Sequence, residues 1–159
     1  MTTIEQNLKI CGIAIELTSS QAENFVVIQK HWKNFNDQLK KYGLTQNGGN
    51  WEKFGITFKA NEKYYYFAAI PMQNQRFPDH FICKEIPKGD YKVFTHKGKM
   101  ESIKQTISEI YKVILPKSDL QVEDQAKAKF FHFEKYDYRF HWNRADSIID
   151  IYLPLNTNY

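Results

Sequence analysis

The chain has 159 residues, of which 42% are hydrophobic and 25% charged, values that exclude wholesale disorder and fit one globular domain. The net charge of +4 is mild, and no block of like charges indicates a nucleic-acid surface. The sequence contains neither a secretory signal nor a stretch of about 18 apolar residues. We therefore expect a cytoplasmic protein that does not enter a membrane.

Aromatic side chains account for 16% of the chain, with 12 Phe, 10 Tyr and 3 Trp. Most aromatic residues are core fillers, but a surplus of this size also suits a pocket that stacks on flat or greasy ligands. The sequence therefore predicts either a dense aromatic core or an aromatic-lined binding site.

Residues that could bind metal or form disulfides give a weak signal. Cys11 and Cys83 lie in apolar, strand-like stretches without a CxxC pair, so buried free thiols are the favoured interpretation and a disulfide is the alternative. The five histidines show no metal-binding spacing: His31, His80, His96, His132 and His141. We expect no metal and no cofactor.

The first half of the chain predicts a strand, a helix and then further strands. Residues 8–17 are rich in β-branched side chains, and Ser20 and Glu23 have the spacing of a capping box at a helix start. Gly43 has the position of a C′ glycine after the helix. The helix carries an apolar stripe at intervals of three and four: Phe25, Ile28, Trp32, Phe35, Leu39 and Tyr42. Strands are then predicted over 51–59, 64–72 and 81–86.

The second half repeats this order. A strand over 90–96 is followed by a helix over 100–115, which Pro116 ends. Two more strands are predicted over 129–138 and 147–155. The helix directs a second apolar stripe toward the core: Ile103, Ile107, Ile110, Tyr111 and Ile114.

This repetition predicts a single α+β domain over 1–159, with pseudo-repeat halves of about 1–86 and 87–159. Each half is a strand–helix–strand–strand module. The two modules would form one antiparallel sheet with two main helices and a cleft between them.

Four stretches of the second half occur in a characteristic order: 86–98 (IPKGDYKVFTHKG), 115–118 (LPKS), 133–136 (FEKY) and 151–155 (IYLPL). With Trp32 in the first helix and Tyr42-Gly43 at its end, this order resembles the gyrase-inhibitor-like (GyrI-like) small-molecule-binding domains. Such domains serve as effector-binding modules in bacterial regulators of the AraC and MerR types. The resemblance covers nearly the whole chain and implies a multidrug-type cleft for bulky, often cationic, aromatic compounds.

The resemblance makes Glu134 the acidic residue of the cleft, with Tyr136 beside it. A carboxylate in an aromatic pocket is costly alone and gains a strong partner in a lipophilic cation. Further aromatic residues are predicted to contact the ligand, with Trp142 as a lid: Trp32, Trp51, Tyr66, Phe81, Trp142 and Tyr152.

Strand alternation raises one difficulty for this role. Glu134 shares a strand face with His132 and Tyr136, whereas Phe131 and Phe133 point to the opposite face. If only the phenylalanine face were buried, Glu134 would be solvated. The ligand role therefore requires a β-bulge or a sheet that is covered on both sides.

Three functions compete on this evidence. The leading hypothesis is a stand-alone small-molecule-binding protein, acting as a sensor or as an accessory to a separate regulator protein. Only about seven residues precede the first strand, so direct DNA binding is not expected. The second is a hydrolase of reactive small molecules that uses Glu134 with Tyr136 or Tyr152. The third, a gyrase-inhibitor-type protein-interaction module, ranks last because the chain has no acidic, DNA-mimicking run.

Overall fold

The computed structural model describes residues 1–46 and 48–156; the last three residues of the predicted domain, 157–159, lie outside this range. The described residues form eight strands: β1 Thr2–Ile4, β2 Leu8–Glu16, β3 Lys53–Ala60, β4 Lys63–Pro71, β5 Ile82–Ile86, β6 Gly89–Lys97, β7 His132–Tyr136 and β8 Ile148–Pro154. The α-helices in the same residues are α1 Gln21–Lys41, α2 Ile103–Glu109 and the single turn α3 Gln125–Ala128. No helix within the described residues combines the length and apolar character that membrane crossing requires.

All eight described strands join one antiparallel sheet in the order β1-β6-β8-β7-β3-β4-β2-β5. The order β2-β4-β3 of the first module is mirrored by β6-β8-β7 of the second, and the modules meet where β3 pairs with β7. The predicted α+β fold of duplicated strand–helix–strand–strand modules is confirmed. The short edge strand β1, which pairs with β6, was not predicted.

Helix α1 follows its sequence signals closely. The Ser20 hydroxyl accepts a hydrogen bond from the Glu23 N–H at 3.3 Å, as expected of an N-cap. The Ser20 N–H, however, donates to the Thr18 hydroxyl at 3.1 Å, so the reciprocal half of the predicted capping box is replaced by a Ser/Thr turn. At the other end Gly43 has φ 66°, the left-handed conformation that ends helices at low cost when the residue is glycine.

The second helical segment, residues 100–117, differs from the single α-helix predicted over 100–115. A 3₁₀ turn at Met100–Ser102 precedes α2, a π-helical turn spans Ile110–Ile114, and a 3₁₀ turn follows at Leu115–Lys117. Because a π turn closes its hydrogen bonds over five residues rather than four, the side chains within it depart from the regular stripe. Tyr111 and Ile114, predicted to face the core, are 37% and 36% exposed.

Both faces of the sheet are covered. One face packs against the helices in a core that includes Trp32, Phe35 and Ile151. On the other face, side chains from strands near opposite ends of the sheet order, such as Ile10 of β2 and Tyr91 of β6, join one cluster because the sheet curls. A strand near the middle of the order, such as β7, is therefore buried on both faces, which meets the condition set for Glu134.

The favoured prediction of free thiols is wrong, and the alternative, a disulfide, is correct. Cys11 of β2 and Cys83 of β5 lie directly opposite each other and form a disulfide with a Cα–Cα distance of 4.1 Å. Strand spacing alone could not show this, because the pairing depends on β5 returning along β2 with this register. The bond ties an edge strand to the sheet.

Reduction of this disulfide should lower the free energy of unfolding by about 2–4 kcal/mol, since the bond closes a long loop in the unfolded chain. The sequence separation of the two cysteines is 72 residues. Urea denaturation with and without a phosphine reductant measures the loss. Cys83→Ser should reproduce the loss and be insensitive to the reductant. Two free thiols titrated in the denatured, unreduced protein would contradict the pairing.

Candidate functional site

A groove of about 310 Å³ lies between α1 and the second helical segment, with the sheet as its floor. Its side walls are mainly apolar: Phe25 and Ile28 line it from α1, and Ile103 and Ile107 from α2. The predicted cleft between the two helices is thus present. Its size is at the lower end of the range for small-molecule sites.

The groove floor carries a buried carboxylate that two phenols hold. Glu134 of β7 is 5% exposed, and its Oε1 accepts hydrogen bonds from the Tyr66 hydroxyl at 2.7 Å and the Tyr136 hydroxyl at 2.6 Å. The indole N–H of Trp32 in turn donates to the Tyr66 oxygen at 2.9 Å. These four side chains form one connected polar network inside an aromatic core.

The second carboxylate oxygen, Oε2, receives no hydrogen bond from any residue in the described part of the chain. Within the same residues, no fully buried side-chain nitrogen or oxygen is left without a partner. Oε2 must therefore reach the accessible space of the groove that Glu134 lines. The network leaves this one oxygen available to a bound group.

The absence of a side chain at Gly55 makes room for this network. Gly55 of β3 lies directly opposite Glu134 in the β3–β7 register. A Cβ atom at this position would lie 1.9 Å from the Tyr66 hydroxyl oxygen and 2.8 Å from Glu134 Oε1. Any larger residue would push Tyr66 away from the carboxylate.

Burial controls the protonation of the network. Desolvation raises the pKa of Glu134, while the hydrogen bonds from Tyr136 and Tyr66 oppose part of this rise by favouring the charged form. Desolvation and the adjacent Glu134 raise the pKa of both phenols well above their ordinary value. Tyr66 and Tyr136 therefore remain protonated hydrogen-bond donors at neutral pH.

A second buried polar group, His132, lies on the same face of β7 and also lines the groove. Its Nδ1 is 2.9 Å from the Tyr111 hydroxyl oxygen. Desolvation lowers the pKa of His132 to about 4 and raises the pKa of Tyr111 to about 12. Both side chains are therefore neutral at physiological pH.

The structure places five of the predicted ligand residues in the groove or in the hydrogen-bond network that holds Glu134. Glu134, Tyr66 and Trp142 line the groove itself. Tyr136 and Trp32 lie behind it, where both line a smaller adjacent cavity of about 70 Å³. Trp142 and Met100 line both cavities.

Three predicted ligand residues lie away from the groove. Trp51 lines the smaller cavity. Phe81 is buried against Phe35 in the helix-side core, with ring centroids 6.0 Å apart. Tyr152 is on the opposite face of the sheet, where it stacks on Phe133 at a centroid distance of 4.6 Å.

Other groove residues were not predicted. Strand alternation could have predicted His132 as a groove residue, because His132 and Glu134 share one strand face and therefore one environment. Thr57 lines the groove because it is the β3 partner of His132, a neighbour that only strand register reveals. Among the described residues, no cluster of three or more His, Cys, Asp or Glu side chains could hold a metal ion.

Residues 3–155 match the family described as "Cass2: Integron-associated effector binding protein". The chain belongs to this family. The resemblance to the GyrI-like effector-binding domains is thereby confirmed.

One curated relative and two solved structures extend the comparison. The transcriptional regulator BrlR of Pseudomonas aeruginosa is 29% identical over 97 residues, which cover 60% of this chain and 34% of BrlR; the match spans about one third of that relative. SAV2435 bound to tetraphenylphosphonium has a TM-score of 0.71 at 18% identity, over 98% of this chain and 92% of that one. An EcmrR–DNA complex has a TM-score of 0.68 at 13% identity, over 99% of this chain and 56% of EcmrR. Because both sequence identities are below 25%, these two structures show that this chain shares their fold and nothing more.

The space at Gly55 gives a direct test of the network. Gly55→Ala should lower the free energy of unfolding by about 2–3 kcal/mol, since the added methyl group displaces the Tyr66 hydroxyl from Glu134. Urea denaturation measures the change. Gly49→Ala is the matched control, because a Cβ there meets nothing within 4 Å, and its effect should be below about 0.5 kcal/mol. Equal effects of the two substitutions would contradict the tight packing at Gly55.

The raised pKa of Glu134 predicts a pH-dependent stability difference between the parent protein and Glu134→Gln. Below the ordinary pKa of glutamic acid the carboxyl is protonated in both folded and unfolded states, and its full contribution to stability is present. As pH rises through the raised folded-state pKa, the folded protein must bury a charge and loses that contribution. The stability of Glu134→Gln relative to the parent should therefore increase from about pH 4 to about pH 8.

Urea denaturation of both proteins across this pH range measures the difference. Glu85→Gln serves as the control, because Glu85 is exposed on β5 and its substitution should give a nearly constant difference. If the relative stability of Glu134→Gln fell with rising pH, Glu134 would be stabilised as a carboxylate in the folded protein.

Proposed function

We propose that this protein binds a lipophilic organic cation in the groove, with Glu134 as the counter-ion. The observation that carries the proposal is the buried carboxylate with one oxygen, Oε2, left without a partner in the described residues at the floor of an apolar groove. Through this binding the protein would act as a sensor or as an accessory to transcription regulation.

The energetic argument begins with the cost of the carboxylate. A charged group in an apolar site is expensive unless it is paired and hydrogen-bonded. Tyr66 and Tyr136 satisfy Oε1, and a cation beside Oε2 would complete the pairing. A small, strongly hydrated cation would gain little, because it would lose its water without filling the apolar walls. A bulky cation with apolar substituents satisfies both parts of the site.

The aromatic residues divide into two roles under this proposal. Tyr66 and Trp142 would contact the ligand directly, with cation–π attraction of about 0.5–2 kcal/mol where a ring faces the charge. Trp32 and Tyr136 would act through Glu134 by holding its carboxylate network. Trp51, Phe81 and Tyr152 are left out of the proposed contact set because they do not line the groove.

The comparisons support this ligand class without identifying the natural ligand. The similarly folded SAV2435 was solved with tetraphenylphosphonium, a lipophilic cation. BrlR is a transcriptional regulator, and EcmrR was solved on DNA. We propose from these relatives that ligand capture by this chain is linked to gene regulation.

The hydrolase alternative has one favourable observation, the raised pKa of Glu134, which would suit a general acid or base. Against it, both neighbouring phenol protons are committed to Oε1, and the raised pKa values of Tyr66 and Tyr136 make these phenols weak acids that keep their protons. Binding is therefore the function that the geometry supports better, and catalysis stays a second prediction.

Charge recognition can be distinguished from apolar burial by comparing the binding of tetraphenylphosphonium and tetraphenylborate. These ions are a cation and an anion of nearly the same size and shape. Calorimetry or tryptophan fluorescence should detect binding of the cation and at least about tenfold weaker binding of the anion, because Glu134 attracts one and repels the other. Glu134→Gln should weaken cation binding by about ten- to a hundredfold.

Glu85→Gln provides the control, since it removes the same charge at an exposed position and should leave the affinity within about twofold. Equal affinities for the two tetraphenyl ions, or undiminished cation binding by Glu134→Gln, would refute the counter-ion role. Turnover of an electrophilic ester that Glu134→Gln abolishes would instead favour the hydrolase.

A further inference from the structure

His132 is a buried polar side chain that the cation-binding proposal does not use. It is 6% exposed and lines the same groove as Glu134. The two residues are separated by Phe133 on β7, so they share a face and lie about 6.5 Å apart along the strand. The groove floor therefore presents two polar points in a row.

One imidazole nitrogen of His132 is paired and the other is not. Nδ1 is 2.9 Å from the Tyr111 hydroxyl oxygen. Nε2 has no hydrogen-bond partner among residues 1–46 and 48–156. Since no fully buried side-chain nitrogen in those residues lacks a partner, Nε2 reaches the accessible space of the groove.

The partner on Nδ1 determines what Nε2 offers to a ligand. The imidazole and the phenol are both neutral at physiological pH. A phenol is a better donor than acceptor, so the Tyr111 hydroxyl donates to Nδ1 and the imidazole proton resides on Nε2. Nε2–H is then a hydrogen-bond donor directed at the groove.

We propose that His132 is a specificity-determining residue, which selects cations that carry a hydrogen-bond acceptor about one aromatic ring away from the charge. The proposal rests on the cation-binding function and defines its ligand class more narrowly. The charge would lie beside Glu134 Oε2, and a carbonyl or ether oxygen of the same molecule would accept the hydrogen bond from His132 Nε2. The Cα separation of about 6.5 Å along the strand gives the approximate spacing of these two groups.

A buried hydrogen-bond donor discriminates mainly against ligands that leave it without an acceptor. A ligand without an acceptor would cover Nε2–H and leave it buried and unsatisfied, which costs more than a formed hydrogen bond gains. Tetraarylphosphonium ions without an acceptor should therefore bind, but below the affinity that the groove can reach. The natural ligand class would be aromatic or heteroaromatic monocations that carry a carbonyl or ether oxygen.

Two matched probes test this directly: (4-acetylphenyl)triphenylphosphonium and (4-isopropylphenyl)triphenylphosphonium. They share charge, shape and size, and differ in whether an acceptor oxygen stands one ring from the phosphorus. We expect the parent protein to bind the acetyl compound about three- to tenfold more tightly. The readout is the ratio of the two dissociation constants by calorimetry, so general changes in groove affinity cancel.

Variants at His132 and Tyr111 test whether His132 causes the preference for the acetyl compound. His132→Phe removes the donor and should bring the ratio to one or reverse it. His132→Gln places an amide N–H at a similar reach and should retain at least about a twofold preference. Tyr111→Phe removes the proton donor to Nδ1 and should lower the ratio, because the imidazole is then free to adopt either tautomer.

The tautomer itself provides a readout that needs no ligand. Long-range ¹H–¹⁵N correlation spectra of the unliganded protein at pH 7 should show His132 as a neutral imidazole with its proton on Nε2. Tyr111→Phe should shift the ring toward a mixture of tautomers. A protonated ring, or the Nδ1–H tautomer in the parent protein, would overturn the proposal.

The possible outcomes separate this proposal from the one on which it rests. If neither probe binds, cation binding fails and the selectivity of His132 fails with it. If both bind equally, or if His132→Phe keeps the acetyl preference, cation binding stands and the role of His132 is overturned. An acetyl preference that His132→Phe abolishes and His132→Gln retains would establish it.

Discussion

The burial of one carboxylate is the constraint on which the rest of the site depends. Glu134 is taken out of water in an aromatic core, and two phenol donors on Oε1 offset part of the free-energy cost of burying it. Tyr66 is in turn oriented by the indole of Trp32, and the whole arrangement needs the missing side chain of Gly55. Each of these residues is explained by what the carboxylate requires.

The duplicated fold makes this arrangement possible. The Gly55–Glu134 pair is the middle of the β3–β7 register that joins the two modules, so the carboxylate lies at the centre of the sheet order. The first module supplies Trp32, Gly55 and Tyr66, and the second supplies Glu134 and Tyr136. Neither module provides the whole arrangement alone, because Tyr66, Trp32 and the space at Gly55 come from the first half, while the acceptor Glu134 and the second donor, Tyr136, come from the other.

In the proposed binding mode, the ligand contacts two residues of a single strand, β7. Glu134 supplies a charge and His132 a neutral donor, and both are desolvated by the same apolar walls. The neutral imidazole matters because a protonated one would repel a cation beside it. Exposed Lys104 and Lys112 also line the groove, but an exposed charge is screened far more strongly than the buried carboxylate.

Local patterns in the sequence determined helix α1, most of the strands and the repeated order of the two modules. The stripe on α1 and its cap were predictable because i, i+3, i+4 spacing and Ser20 act within one helix. The resemblance of the FEKY stretch to a known family directed attention to Glu134. Alternation also linked His132 to Glu134, although it could not say whether their shared face was buried.

Everything that depends on long-range pairing was decided by the tertiary structure. The curled sheet buries both faces of β7, which settles the environment of Glu134. Strand register joins Cys11 to Cys83 and sets Gly55 opposite Glu134, and packing of the second helical segment on the sheet brings the Tyr111 hydroxyl to 2.9 Å from His132. The physical reason is common to all three: residues far apart in sequence share a site only through packing and register, which no local periodicity encodes.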